Sequence, residues 1–154
     1  MQKIIWLDDE PESISYERDT LIPDKINMKN IETVSCEKID EFMEYIQFNE
    51  IEYDDIFIID IMLIGEESIL LANDESIEIP DDLMAGTILY TEFLKENFLN
   101  NLIVLYTSRE HEGELFNRLI RDERYNRTLF LVDKWEKDTK FIDVLKKFIR
   151  SSNE

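Results

Sequence analysis

The sequence predicts a doubly wound α/β domain. Three observations predict it: short, fully apolar runs, amphipathic stretches between them, and acidic or hydroxyl residues directly after the runs. Four runs, Ile4 to Leu7, Ile56 to Ile59, Leu102 to Tyr106 and Leu129 to Val132, are four or five residues long and rich in branched and aromatic side chains. Strands covered on both faces of a parallel sheet read this way, because neither face alternates with solvent. A fifth run, Ile31 to Cys36, mixes Glu32 and Thr33 with apolar residues and reads as an edge strand.

The intervening segments carry helical periodicity. Ile39, Phe42, Met43 and Ile46 fall at i, i+3, i+4 and i+7, and Phe141, Val144, Leu145, Phe148 and Ile149 form one apolar stripe. Pro11 to Leu21, Met84 to Phe98 and Glu110 to Arg124 are less regular, although Leu115, Phe116, Leu119 and Ile120 give the last of these a usable face. Five strands alternating with five helices imply a parallel sheet joined by right-handed crossovers.

The segment 61–85 breaks this rhythm. It holds 25 residues where such connections usually take about 2 to 6. Within it, Ser68 to Ala72 and Ser76 to Ile79 flank the turn-forming Asn73 and Asp74, so the insertion reads as a hairpin. A disordered acidic loop is the competing reading, since the segment carries Glu66, Glu67, Asp74, Glu75, Glu78, Asp81 and Asp82 and no Lys or Arg. With 154 residues, of which 44% are apolar, the chain has enough material for one core, and 1–154 is expected to be a single domain.

Charge narrows the function classes. The formal charge of -19, from 36 acidic against 17 basic residues, repels phosphate backbones and argues against nucleic-acid binding. No apolar run approaches the roughly 18 residues of a membrane span, and the N-terminus lacks a secretory pattern, so a cytoplasmic protein is expected. Cys36 is alone and cannot form an internal disulfide. It reads as a small half-buried strand residue, and His111 reads as a solvated helix residue.

Functional residues of open α/β sheets gather at the carboxyl ends of the strands. There the first run is followed by Asp8 and Asp9, the third by Asp60, the fourth by Thr107 and Ser108, and the fifth by Asp133 and Lys134. Three carboxylates, a hydroxyl and an ammonium on one rim suit phosphoryl transfer to a carboxylate. A hard divalent cation would keep clustered carboxylates ionised, and Mg²⁺ fits a set with no soft ligand. Asp60 could then attack phosphorus while Lys134 neutralises charge and Thr107 donates to a phosphoryl oxygen. Each residue alone has a plainer reading: Asp8 and Asp9 as the cap of a helix starting near Pro11, Lys134 as a solvated rim residue, Thr107 as an ordinary strand residue.

The stretches KIIWLDDEP, IFIIDIML, LIVLYTS and LVDK resemble the four signature segments of response-regulator receiver domains, across nearly the whole chain. The resemblance implies a flavodoxin-like sheet of order 2-1-3-4-5, with the insertion lying between strand 3 and helix 3. It further implies Asp60 as phosphoacceptor, Asp8 and Asp9 as acidic-pocket residues for Mg²⁺, Met62 as a backbone-carbonyl ligand, and Thr107 and Lys134 as switch residues. Three features depart from the family pattern: Pro80 and Gly86 come only at the end of the insertion and just after it, Trp135 follows Lys134 where a proline is usual, and Leu131 occupies the position of the aromatic switch residue.

The expected function is a stand-alone phosphoacceptor switch of a two-component or phosphorelay system. A histidine kinase or phosphotransfer protein would be its donor and, with the chain ending soon after the fifth helix, a separate effector protein its output. It is not expected to be an enzyme acting on a metabolite, beyond self-phosphorylation and self-dephosphorylation. The alternatives are a pseudo-receiver that binds partners constitutively and a Mg²⁺-dependent phosphohydrolase. Against the latter, Met62 stands where an aspartyl-nucleophile phosphatase usually has its second acid.

Overall fold

The computed structural model describes residues 1–107, 114–133 and 137–149, apart from the side chains of 107 and 137–141. Its main sheet is built from β1 (Gln2–Leu7), β2 (Ile31–Cys36), β3 (Ile56–Asp60), β6 (Leu102–Thr107) and β7 (Leu129–Asp133). All the pairings are parallel, in the order β2-β1-β3-β6-β7. With the inserted strands β4 (Ser68–Leu70) and β5 (Ser76–Glu78) set aside, this is the flavodoxin-like order 2-1-3-4-5. Every residue of β3 is buried, as a central strand covered on both faces requires, whereas β2 lies at the edge with half of its residues exposed.

Alternation along the strands divides the apolar residues between two cores. On one face Ile5, Leu7, Phe57, Ile59, Ile103 and Leu105 pack against α2 (Ile39–Phe48), α5 (Glu114–Tyr125) and the segment from Met84 to Leu94. On the other, Ile4, Trp6, Ile56, Ile58, Val104 and Tyr106 pack against Ile14, Leu21 and Ile22 of the first helical segment and Val144 and Leu145 of α6 (Lys137–Phe148). Cys36 belongs to the first core and is buried, more deeply than its strand-edge position suggested.

Two of the three less regular helical segments are irregular in the structure too, whereas the described part of the last is the continuous α5. The first comprises a 3₁₀ turn at Pro11–Ile14, a π turn at Glu17–Leu21 and α1 (Ile22–Lys25). Pro23 has no N–H to donate to the carbonyl four residues back, and its ring crowds that carbonyl; a widened turn directly upstream accommodates both. The second runs from a 3₁₀ turn at Asp82–Met84 through α3 (Ala85–Leu89) and a π turn at Tyr90–Leu94 to α4 (Lys95–Asn97). It therefore begins inside the segment read from sequence as insertion.

The insertion is an ordered antiparallel hairpin in which Ile69 faces Ile77, with Asp74 at φ 65 in the turn. It does not merely enclose a core of its own. Ile69 and Ile79 are buried in the same cluster as Ile39 and Phe42 of α2, and the Glu66 carboxylate accepts a hydrogen bond from the Ile39 N–H at 3.1 Å. The N-cap residue Lys38 makes no side-chain cap, and Glu66 from the insertion satisfies the Ile39 donor and places negative charge at the positive end of the helix.

Candidate functional site: a carboxylate cluster at the carboxyl edge of the sheet

β1 and β3 are neighbours, and Leu7 is paired with Ile59, so the residues that follow, Asp8 and Asp60, emerge side by side from the carboxyl edge. One oxygen from each of Asp8, Asp9 and Asp60 lies within 4.8 Å of the others. Asp8 and Asp60 are only 2% and 5% exposed, while Asp9 is half-buried. At an effective dielectric of about 20, two unit charges at that separation repel by roughly 3 kcal/mol, so such a cluster is an attractive seat for a cation.

Neutral donors fix the orientation of each carboxylate. Asp8 Oδ1 accepts from the Glu10 N–H at 2.7 Å, Asp9 Oδ2 from the Ile64 N–H at 3.0 Å, and Asp60 Oδ1 from the Met62 N–H at 3.1 Å. The second of these comes from the insertion, whose first turn is further tied down by the Gly65 N–H on Asp82 Oδ2 at 2.8 Å, with Gly65 at φ 85. On the far side Gly86 seals the backbone of the site: its N–H donates to the Ile61 carbonyl at 2.8 Å, and a Cβ there would stand 2.1 Å from the Asp60 carbonyl oxygen. This close approach explains why a glycine stands where the chain resumes the helical pattern after the insertion.

Asp8 Oδ2 has a donor that the sequence reading did not anticipate, the hydroxyl of Tyr106. Tyr106 is paired with Asp60 across the β3–β6 ladder, is 3% exposed, and meets Trp6 edge-on with ring centroids 6.4 Å apart. Burial, then the charges of Asp8 and Asp60, push its phenol well above the usual tyrosine range, so it remains a donor. In the sequence it is simply the last apolar residue of LIVLY. The available signal was parity: Trp6, Asp8 and Tyr106 alternate onto one face of the sheet.

Of the residues expected at the site, the structure brings Asp8, Asp9 and Asp60 together and places Met62 beside them, its N–H on Asp60. The backbone of Thr107 ends β6 opposite Asp133, but its side chain, together with Ser108, His111, Lys134 and Trp135, lies outside the described residues. Leu131 is half-buried on the edge strand β7, and its N–H is taken by the Glu123 carboxylate. The clustered donors are all hard carboxylate oxygens, the chemistry that suits Mg²⁺.

No family model and no curated protein matches the chain by sequence. Solved structures do match. RcsB from Salmonella enterica serovar Typhimurium, bound to promoter rprA in the presence of the phosphomimetic BeF3-, is 14% identical, with 96% of this chain and 98% of that one covered and a TM-score of 0.62. A two-component transcriptional regulator AraC from Clostridium phytofermentans ISDg is 15% identical, with 98% and 94% covered and a TM-score of 0.50. The fold is thus one found in response regulators. No helix among the described residues is long and apolar enough to cross a membrane.

Proposed function

We propose that this chain is a phosphoacceptor signalling switch of the two-component or phosphorelay kind, in which Asp60 takes up a phosphoryl group and a partner protein reads the change. The observation that carries this reading is the convergence of Asp8, Asp9 and Asp60 within 4.8 Å at the carboxyl edge, with Asp60 ending the central strand. The response-regulator-like fold supports it. Asp8, Asp9, Asp60 and the Met62 carbonyl would hold Mg²⁺, which when bound neutralises charge on the phosphoryl oxygens.

The chain's own residues do the rest. An Asp60 oxygen bonds to phosphorus as the donor's P–N or P–O bond breaks, the leaving group keeping the electron pair, and later attack by water releases phosphate and restores the carboxylate. Asp8 and Asp9 are held in place by the Glu10, Tyr106 and Ile64 donors and need little rearrangement. Thr107 and Lys134 take the switch roles that the resemblance implies. The donor is a histidine kinase or phosphotransfer protein, the reader is an effector protein, and the setting is cytoplasmic. No separate metabolite is turned over.

Intact mass of the full chain after incubation with acetyl phosphate and Mg²⁺ tests this. One hydroxylamine-labile phosphoryl adduct is expected, absent from Asp60→Asn. A second reading, a pseudo-receiver that binds partners without phosphoryl turnover, is favoured by the donors already seated on Asp8 and Asp9. A wild-type chain that takes no adduct, and whose partner binding ignores Asp60→Asn, would establish it.

A further inference from the structure

We propose that Tyr106 is a positioning residue for the divalent-cation site, its buried hydroxyl holding the Asp8 carboxylate in the orientation from which it ligates. This rests on the cation reading above. Glu10 and Tyr106 both donate to that carboxylate, and they differ in kind. The Glu10 N–H lies two residues along the chain and moves with Asp8, whereas Tyr106 reaches it from β6, across the intervening strand β3. Since Tyr106 is also the residue paired with Asp60, its hydroxyl ties the Asp8 carboxylate of the first strand to the strand pair that carries the phosphoacceptor.

Packing alone does not require a hydroxyl there. The ring sits in the apolar core between Trp6 and Val132, where a phenylalanine would fill the same volume, and a buried hydroxyl left without an acceptor costs about 1–3 kcal/mol. The hydroxyl is tolerated because Asp8 accepts from it. A carboxylate offers roughly four lone-pair sites, so accepting from Glu10 and Tyr106 does not by itself preclude ligating a cation shared with Asp9 and Asp60. The ring cannot swing away, being nearly fully buried and held edge-on to Trp6. Groups that orient a metal ligand from behind typically matter 10- to 100-fold for affinity.

The test is a double-mutant cycle on the full chain, read as Mn²⁺ affinity by electron paramagnetic resonance and Mg²⁺ affinity by competition. Tyr106→Phe keeps the ring and removes the hydroxyl; it is expected to weaken both affinities roughly 10- to 100-fold. In the Asp8→Asn background the same substitution is expected to change them less than about twofold, because the group it positions is gone. Wild-type affinity in Tyr106→Phe would overturn the proposal, as would an equal loss in both backgrounds, which would mark a packing effect transmitted without Asp8. Should the wild-type chain bind no Mn²⁺, the cation reading itself falls and this proposal with it, an outcome visible before any variant is made.

Discussion

Asp55 and Asp60 bracket the same apolar strand residues, Ile56 to Ile59, yet the structure uses them in opposite ways. Asp55, at the amino end, is fully buried and closed on its surroundings. Its oxygens accept from the Lys3 and Glu52 N–H groups, each at 2.8 Å, its carboxylate stands 3.4 Å from the Lys3 ammonium, and its carbonyl accepts from the Asn101 amide. One negative charge meets one positive charge, and the result is a joint. Asp60, at the carboxyl end, instead sits with two more carboxylates. The contrast teaches that burial of a strand-end acid does not by itself mark function; burial beside other carboxylates, which raises the cost of keeping them all charged, is the sharper sign of a site.

Four experiments bear on this contrast. The largest effect is expected from Gly86→Ala, where the new Cβ would collide with the Asp60 carbonyl oxygen and the Ile61 Cα, both backbone atoms. A loss of about 4 kcal/mol or more in urea unfolding is expected. A mild effect would show that the backbone behind the cluster is not rigid. Next, Asp55→Ala leaves two backbone donors without their acceptor and the Lys3 ammonium, which keeps the Glu50 carbonyl, without its counter-charge, and should cost about 3 kcal/mol while the remaining folded protein still takes a phosphoryl group on Asp60. Loss of phosphorylation in folded Asp55→Ala would mean that the two ends of the strand are coupled.

Cation binding should separate the two ends directly. Mg²⁺ at a hundred times its dissociation constant should raise wild-type stability by about 2.7 kcal/mol. Asp55→Ala should keep that increment and Asp60→Asn should lose most of it. An increment that survives in Asp60→Asn would place the ion elsewhere. The smallest effect belongs to Glu66→Ala, which removes the acceptor at the start of α2 and should cost about 1 kcal/mol with cation affinity unchanged. A change in affinity there would show that the hairpin communicates with Asp9 through Ile64.

The strands were legible because parallel pairing demands apolar residues on both faces, and Ile56 to Ile59 admits little else. Strand ends were equally legible: Asp8, Asp9 and Asp60 follow their runs directly, so the sheet order alone brings them together. The broken helices were not, because their 3₁₀ and π turns answer to local features such as Pro23 and to packing against the sheet, which periodicity does not encode. Tyr106 was missed for a related reason. A tyrosine in an apolar run counts as core until register shows where its hydroxyl ends, and register is a property of three strands rather than of one. The docking of Glu66 on Ile39 was equally invisible, since it joins residues 27 positions apart through a hairpin whose placement no local pattern fixes.

That hairpin has a consequence for how the chain could have been built. A surface loop can be lengthened or trimmed with little effect on what lies beneath it, so its history leaves few marks. This one supplies Ile69 and Ile79 to the core beneath α2, so excising it would open a hole between that helix and the sheet and would leave the α2 terminus bare. The hairpin and the side chains of α2 therefore depend on one another. A chain without the hairpin would need other apolar side chains to cover Ile39 and Phe42 and a new cap at Lys38.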